Sequence, residues 1–198
     1  MSEQTKVAAY AHRLRTKQRA LWKRLALVQL PYRWNLRRQR LGVTLDVGCG
    51  IGRNLAALAP GSLGIDHNVE SVQYAKSLGL PAMTVDEFKR SGRARQGAFD
   101  GLLLAHLLEH LSAPEGEALL RDYLHYLRPG GAVFIVCPQE VGYRSDPTHV
   151  YFLDGAELRA VCERAGLVVE ASFSFPFPRW VGKLFIYNES CVRARLPG

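Results

Sequence analysis

Thr44-Leu45-Asp46-Val47-Gly48-Cys49-Gly50-Ile51-Gly52-Arg53-Asn54 is the stretch from which the fold can be read. Residues 43–47 are a short apolar, β-branched run and predict a buried strand. Glycines at 48, 50 and 52 then allow a sharp turn and let bare backbone approach a ligand. Residues 54–59 predict a following helix, whose free N–H groups would suit a polar or anionic ligand. The dinucleotide fingerprint needs glycine at its first, third and sixth positions. Here Arg53 fills the sixth position, the third glycine comes one residue early, and Asp46 is an acid outside that fingerprint.

Further strands are expected at 62–65, 82–85, 99–105, 132–137, 167–173 and 183–187, with helices at 69–78, 115–127 and 154–165. Strands alternating with helices point to an α/β fold with a mostly parallel sheet covered on both faces. Asp66 closes the second strand about twenty residues after Asp46, where a nucleoside-binding α/β unit places an acid for ribose hydroxyls.

The form Asp-x-Gly-x-Gly-x-Gly resembles motif I of the class I S-adenosylmethionine (SAM) dependent methyltransferases, and the resemblance extends over about residues 40–190. It implies a Rossmann-like seven-stranded sheet and SAM as cofactor. Under it, Asp46, Gly48, Gly50 and Gly52 wrap the amino-acid part of SAM. Asp66 binds the ribose, Asp86 reaches the adenine amino group, and Ala105 ends the strand that passes beside the transferring methyl. Leu127-Arg128-Pro129-Gly130-Gly131 resembles the turn before strand five of the same family.

His106-Leu107-Leu108-Glu109-His110-Leu111 follows strand four. On a helix, His106, Glu109 and His110 would share a face, and imidazoles with a carboxylate can hold a divalent cation. Many members of the family carry Glu-His here with no metal. A later histidine stands in Arg144-Ser145-Asp146-Pro147-Thr148-His149. The placement resembles small-RNA 3′-terminal 2′-O-methyltransferases, in which a Glu-x-x-Glu-His cluster and a later His bind Mg²⁺. The resemblance implies metal ligands at His106, Glu109, His110 and His149, with His106 departing from that family's glutamate. A hard oxygen shell suits Mg²⁺ better than an imidazole does.

A sugar hydroxyl is a weak nucleophile, so a histidine base at His149 or His110, or a cation, fits its chemistry. The short chain, the Glu-His and Asp-Pro-Thr-His pair and the aromatic link at 175–180 resemble small saccharide O-methyltransferases, among them the 1-O-methyltransferases of methylmannose polysaccharide synthesis. The expected acceptor is a saccharide or similar polyol. RNA ribose 2′-O-methylation and a non-catalytic SAM-fold partner protein are the alternatives.

Composition bounds these readings. The chain has 198 residues and a net charge of +8. Residues 1–40 carry +10 and the remainder −2, so the basic character belongs to the N-terminal segment and not to the SAM-binding part, 41–198. Val7, Ala11, Leu14, Leu21, Leu25 and Val28 repeat at helical spacing, which predicts a basic helix over 3–30 stopped by Pro31. The readings open for it are a solvent-facing cover, a lid, a homodimer contact or a patch for an anionic partner. Its interleaved Trp22, Tyr32 and Trp34 suit core packing as well as stacking on sugars or bases. No run reaches the length of a membrane span, so no membrane partner is expected. With no signal peptide pattern and four cysteines lacking C-x-x-C spacing, a cytoplasmic protein with free thiols is expected.

Overall fold

The computed structural model describes residues 29–198. The apolar stripe from Val7 to Val28 and Trp22 lie outside the described residues. The chain divides into two compact units, residues 1–35 and 36–198, and the sheet belongs to the second. Residues 29–38 are helical (α1), so Pro31 lies inside a helix instead of ending one. Proline's fixed φ is itself helical, and the residues after it continue the helix unhindered.

Seven strands run β1 Thr44–Val47, β2 Leu63–Asp66, β3 Ala82–Thr84, β4 Phe99–Ala105, β5 Leu127–Pro138, β6 Val168–Phe175 and β7 Glu189–Arg195. They lie side by side in the order β3-β2-β1-β4-β5-β7-β6. Every pairing is parallel except those of β7 with β5 and β6. Helices α2 Val69–Ser77, α3 Val85–Arg90, α4 Ala113–Leu124, α5 Glu140–Arg144 and α6 Gly155–Arg164 complete the frame.

Side-chain alternation decides what faces where. Leu45, Val47, Ile65, Leu102, Leu104, Val133 and Ile135 form one core with Phe88 of α3, Leu120 of α4, and Leu158 and Val161 of α6. On the opposite face, Val72 and Ala75 of α2 pack with Cys49, Leu55 and Ala82. Asp46 and Asp66 alternate with core residues of β1 and β2, so both carboxylates emerge on this second face.

Three of these elements depart from the sequence reading. The helix expected at 54–59 is one 3₁₀ turn, Leu55–Ala57, with no side-chain cap. Pro60 biases Ala59 away from helical backbone, which leaves too few residues for an α-helix. The expected N–H-rich helix end behind the glycine loop is therefore absent. The third strand ends at Thr84, because Thr84 and Glu87 form a capping box that starts α3. Asp86 consequently sits exposed in the first turn of α3 and not at a strand end. Residues 183–187 do not form the last strand. Residues Arg179–Lys183 are a 3₁₀ turn, and β7 begins at Glu189. Arg193 and Arg195 disguise that strand in the sequence; both pair with Glu170 of β6, at 2.9 and 3.1 Å.

The loop between β6 and β7 is fixed by Asn188, which is wholly buried. Its Nδ2 donates to Gln139 Oε1 (2.9 Å), Ser174 Oγ (3.0 Å) and the carbonyls of Phe177 and Pro178, and its Oδ1 accepts from Phe177 N (3.0 Å). Asn188→Ala strands Gln139 Oε1 and Phe177 N without these partners. The expected loss is about 1–3 kcal/mol per unsatisfied group, read as a fall in the urea midpoint of unfolding.

Candidate active site

The glycine loop is held against the end of β2 by its own backbone. Gly48 N and Cys49 N donate to Ile65 O at 2.9 and 3.0 Å. Gly50 N donates to Asp66 Oδ2 at 2.7 Å, and Asn68 N to Asp66 Oδ1 at 2.8 Å. Gly48, Gly50 and Gly52 have φ of 73°, 52° and 81°, a region that glycine enters without strain. A Cβ at Gly52 would meet Leu80 Cδ1 at 2.7 Å, whereas a Cβ at Gly50 would meet nothing within 4 Å. Gly50 thus borders open space above the carboxyl ends of β1 and β2, where ligands bind in this class of sheet.

Asp46 underlies that space. It is 1% exposed, and neither carboxylate oxygen has a hydrogen-bond partner among the described residues. Burial, and then the charge of Asp66, push its pKa up to about 8. A ligand carrying an ammonium group answers such a carboxylate. Asp66 keeps further lone pairs for hydroxyl donors after its two backbone bonds. These residues fit the amino-acid and ribose parts of SAM.

The raised pKa has a signed consequence. Below 3.8 Asp46 is protonated in both the folded and unfolded states. Between 3.8 and about 8 only the unfolded state ionises, so stability falls as pH rises through that window. Asp46→Asn removes the proton uptake. Without SAM, the variant is expected to gain stability relative to the natural chain across the window, on the order of 5 kcal/mol in total. Urea unfolding at both ends of the window measures it; parallel pH profiles would contradict it.

The second cluster lies beyond β4. Strand pairing continues to His106, whose N donates to Val136 O at 2.9 Å. The chain then reverses at His106, with φ 56°, into a single 3₁₀ turn, Leu108–His110. The shared helix face expected for His106, Glu109 and His110 therefore does not exist. Instead, His106 Nε2 lies 2.9 Å from Glu189 Oε1 and its Nδ1 3.3 Å from Glu109 Oε1. Desolvation opposes charging the ring, but Glu109 and Glu189 outweigh it and push its pKa up to about 10. With 48% of the side chain exposed, solvent screens both pairs. His106 thus faces two carboxylates and lies outside the group of ligand atoms that Glu109, His110 and His149 form.

Glu109, His110 and His149 do come together, with one ligand atom from each lying within 4.8 Å of the others. Glu109 is wholly buried, and among the described residues neither oxygen has a properly aligned hydrogen bond. The loop after α5 is drawn onto it, since Val150 N and Tyr151 N both donate to Glu109 O, at 2.7 and 3.1 Å. His149 Nδ1 donates to Tyr143 O at 2.7 Å. A carbonyl only accepts, so the proton is on Nδ1 and the Nε2 lone pair is available. Thr148 Oγ1 donates to Asp146 Oδ1 at 2.7 Å and accepts from His110 Nδ1 at 3.2 Å. His110 therefore also keeps a free Nε2. The two rings lie edge to face, 4.8 Å apart. Hydrogen bonds that fix a ligand histidine's tautomer are the usual second layer of a metal centre.

Tyr143, Asp146, Thr148 and Glu189 are the site residues that sequence reasoning did not assign. The Asp-Pro-Thr-His run carried the signal for Asp146 and Thr148: Asp and Thr two residues apart favour the turn they close. Glu189 and Tyr143 had none. Burial and the charge of Glu109 hold the Cys137 thiol protonated, so it is a neutral neighbour.

The strand order, the glycine loop with two acids beneath it, and the open space at Gly50 are now joined by one comparison. The family profile described as methyltransferase domain matches residues 10–172. The chain belongs to the class I SAM-dependent methyltransferases. No curated protein matches it by sequence. Solved structures similar in fold include a SAM-dependent methyltransferase from Archaeoglobus fulgidus, with TM-score 0.62, 18% identity, and 83% of this chain and 92% of that chain covered. Another is the 1,6-didemethyltoxoflavin-N1-methyltransferase of Burkholderia thailandensis, with TM-score 0.63, 20% identity, and 100% and 92% covered. A third is the SAM-bound magnesium protoporphyrin IX methyltransferase of Synechocystis PCC 6803, with TM-score 0.58, 14% identity, and 85% and 81% covered. The acceptors named for the last two differ, so the shared fold leaves this methyltransferase's acceptor to its own site. Among the described residues, no helix is long and apolar enough to cross a membrane.

Proposed function

We propose that this methyltransferase moves the methyl group of SAM to a hydroxyl of a saccharide or similar polyol, with a divalent cation held by Glu109, His110 and His149. The observation that carries the reading is the buried Glu109 carboxylate, which has no aligned hydrogen bond among the described residues and only His106 Nδ1 at 3.3 Å, grouped with the two imidazoles of His110 and His149. SAM supplies an electrophilic methyl, so the protein's main task is to align donor and acceptor. A cation at this place lowers a hydroxyl's pKa and fixes a neighbouring oxygen. Asp46 and Asp66 hold the donor, while Glu109, His110 and His149 hold the acceptor end. Tyr143 O and Thr148 keep both imidazoles in the metal-binding tautomer.

One carboxylate and two imidazoles form a borderline donor set. It suits Mn²⁺ or Zn²⁺ and leaves Mg²⁺ short of the oxygen ligands it prefers. Equilibrium dialysis of the purified chain against Mn²⁺ and Mg²⁺, beside His149→Ala, tests the site. The expected result is stoichiometric Mn²⁺ binding that the variant loses while its SAM affinity holds. Equal metal binding by both proteins, or by neither, would count against the site.

A further inference from the structure

The link between β6 and β7 carries several exposed large apolar side chains. Trp180 is 65% and Leu184 76% exposed, and Phe177, Ile186 and Tyr187 are exposed with them. The loop is not loosely held. Asn188 ties its two ends, and a Cβ at Gly182 would run into Gln139, so the backbone is packed tightly against the domain. Five large apolar side chains on one anchored loop are more than the scattered exposure of an ordinary surface. Residues 176–187 contain Arg179 and Lys183 and no acid. Arg179 is bound to Glu140 at 2.7 Å, and Lys183 is exposed.

We propose that this loop docks the methyltransferase on an anionic lipid surface, with Trp180 and Leu184 entering the interface and Lys183 beside the headgroups. Three features select the occupant. Sugar platforms use aromatic faces, which leaves Leu184 and Ile186 without a role, whereas lipid takes aliphatic and aromatic side chains alike. Trp and Tyr prefer the membrane–water boundary, where one part of the ring system is apolar and the other polar. A second copy of this chain meeting the patch about a twofold axis would bring like-charged Lys183 residues together. The charge of +10 on residues 1–40 adds long-range attraction to an anionic surface. Such docking needs no spanning helix, so it is compatible with the absence of one and revises the expectation of no membrane partner. The inference does not depend on the acceptor or on the cation.

Co-sedimentation of the full chain with vesicles tests it, comparing phosphatidylcholine alone with phosphatidylcholine and phosphatidylglycerol in equal parts. The chain is expected to sediment with the mixed vesicles and to be released by raised salt. The double variant Trp180→Ser/Leu184→Ser is expected to bind at least about tenfold more weakly. Lys183→Glu should also weaken binding to the mixed vesicles. Both side chains are exposed, so SAM affinity and the urea midpoint should be unchanged and serve as the folding control. Failure to sediment with mixed vesicles overturns the proposal. So does full binding by the double variant, which would assign the contact to another part of the chain. A concentration-dependent dimer in ultracentrifugation that the double variant loses would instead make the patch a self-association surface.

Discussion

Glu109→Gln is expected to lower methyl transfer by more than about a hundredfold, because changes one layer outside a metal's ligands already cost about 10–100-fold. The substitution keeps the shape of the side chain and removes only its charge. SAM affinity should hold, since Asp46 and Asp66 lie on other strands. Glu109 also faces His106 Nδ1 at 3.3 Å, so the substitution removes one of the two carboxylates paired with that ring. The His106 pKa, followed by NMR, is therefore expected to fall in the variant. Loss of turnover with SAM affinity retained marks Glu109 as kept for function. Turnover near the natural level would remove it from the site.

Gly50→Leu is expected to weaken SAM binding by about ten- to a hundredfold while the fold survives. The new Cβ meets no protein atom within 4 Å, so its bulk goes into the space reserved for the ligand. Overpacking a fitted site costs about 1–3 kcal/mol, or about ten- to a hundredfold in affinity. The φ of 52° adds strain for any L-residue, of about 1–2 kcal/mol in stability. Gly52→Leu is the contrasting variant: its Cβ would meet Leu80 Cδ1 at 2.7 Å and Ala75 and Leu55 at 3.3 Å, so there stability should fall further than in Gly50→Leu. Calorimetry with SAM, alongside urea unfolding, separates the two. Unchanged affinity in Gly50→Leu would displace the cofactor from the glycine loop.

What the sequence revealed and what it hid follow from how local each signal is. The glycine loop, Asp46 and Asp66 were legible because adjacent residues fix a tight turn between two buried strands. The Asp154 cap of α6 was legible for the same reason, as its carboxylate accepts from Ala156 N and Glu157 N. The capping box of Thr84 and Glu87 was equally local but was overlooked behind an apolar run, which misplaced Asp86. The histidine cluster was legible in its members and not in its geometry. His106 and His110 lie four residues apart, but Ala105 and His106 remain committed to β5, so no helix can align them. Glu189 reaches His106 only because β7 inserts between β5 and β6, a pairing that no short-range pattern encodes. β7 itself was hidden by two arginines whose partner, Glu170, lies on the neighbouring strand.

The most direct test is methyl transfer by the purified chain from SAM to saccharides, RNA oligonucleotides and phenols, with EDTA and with Mn²⁺ or Mg²⁺ restored after it. The product is located by mass spectrometry and NMR. The predicted result is an O-methyl saccharide whose formation stops with EDTA and resumes with the divalent cation. Cation-independent transfer, or a methyl group found on nitrogen or carbon, would contradict the proposed reaction.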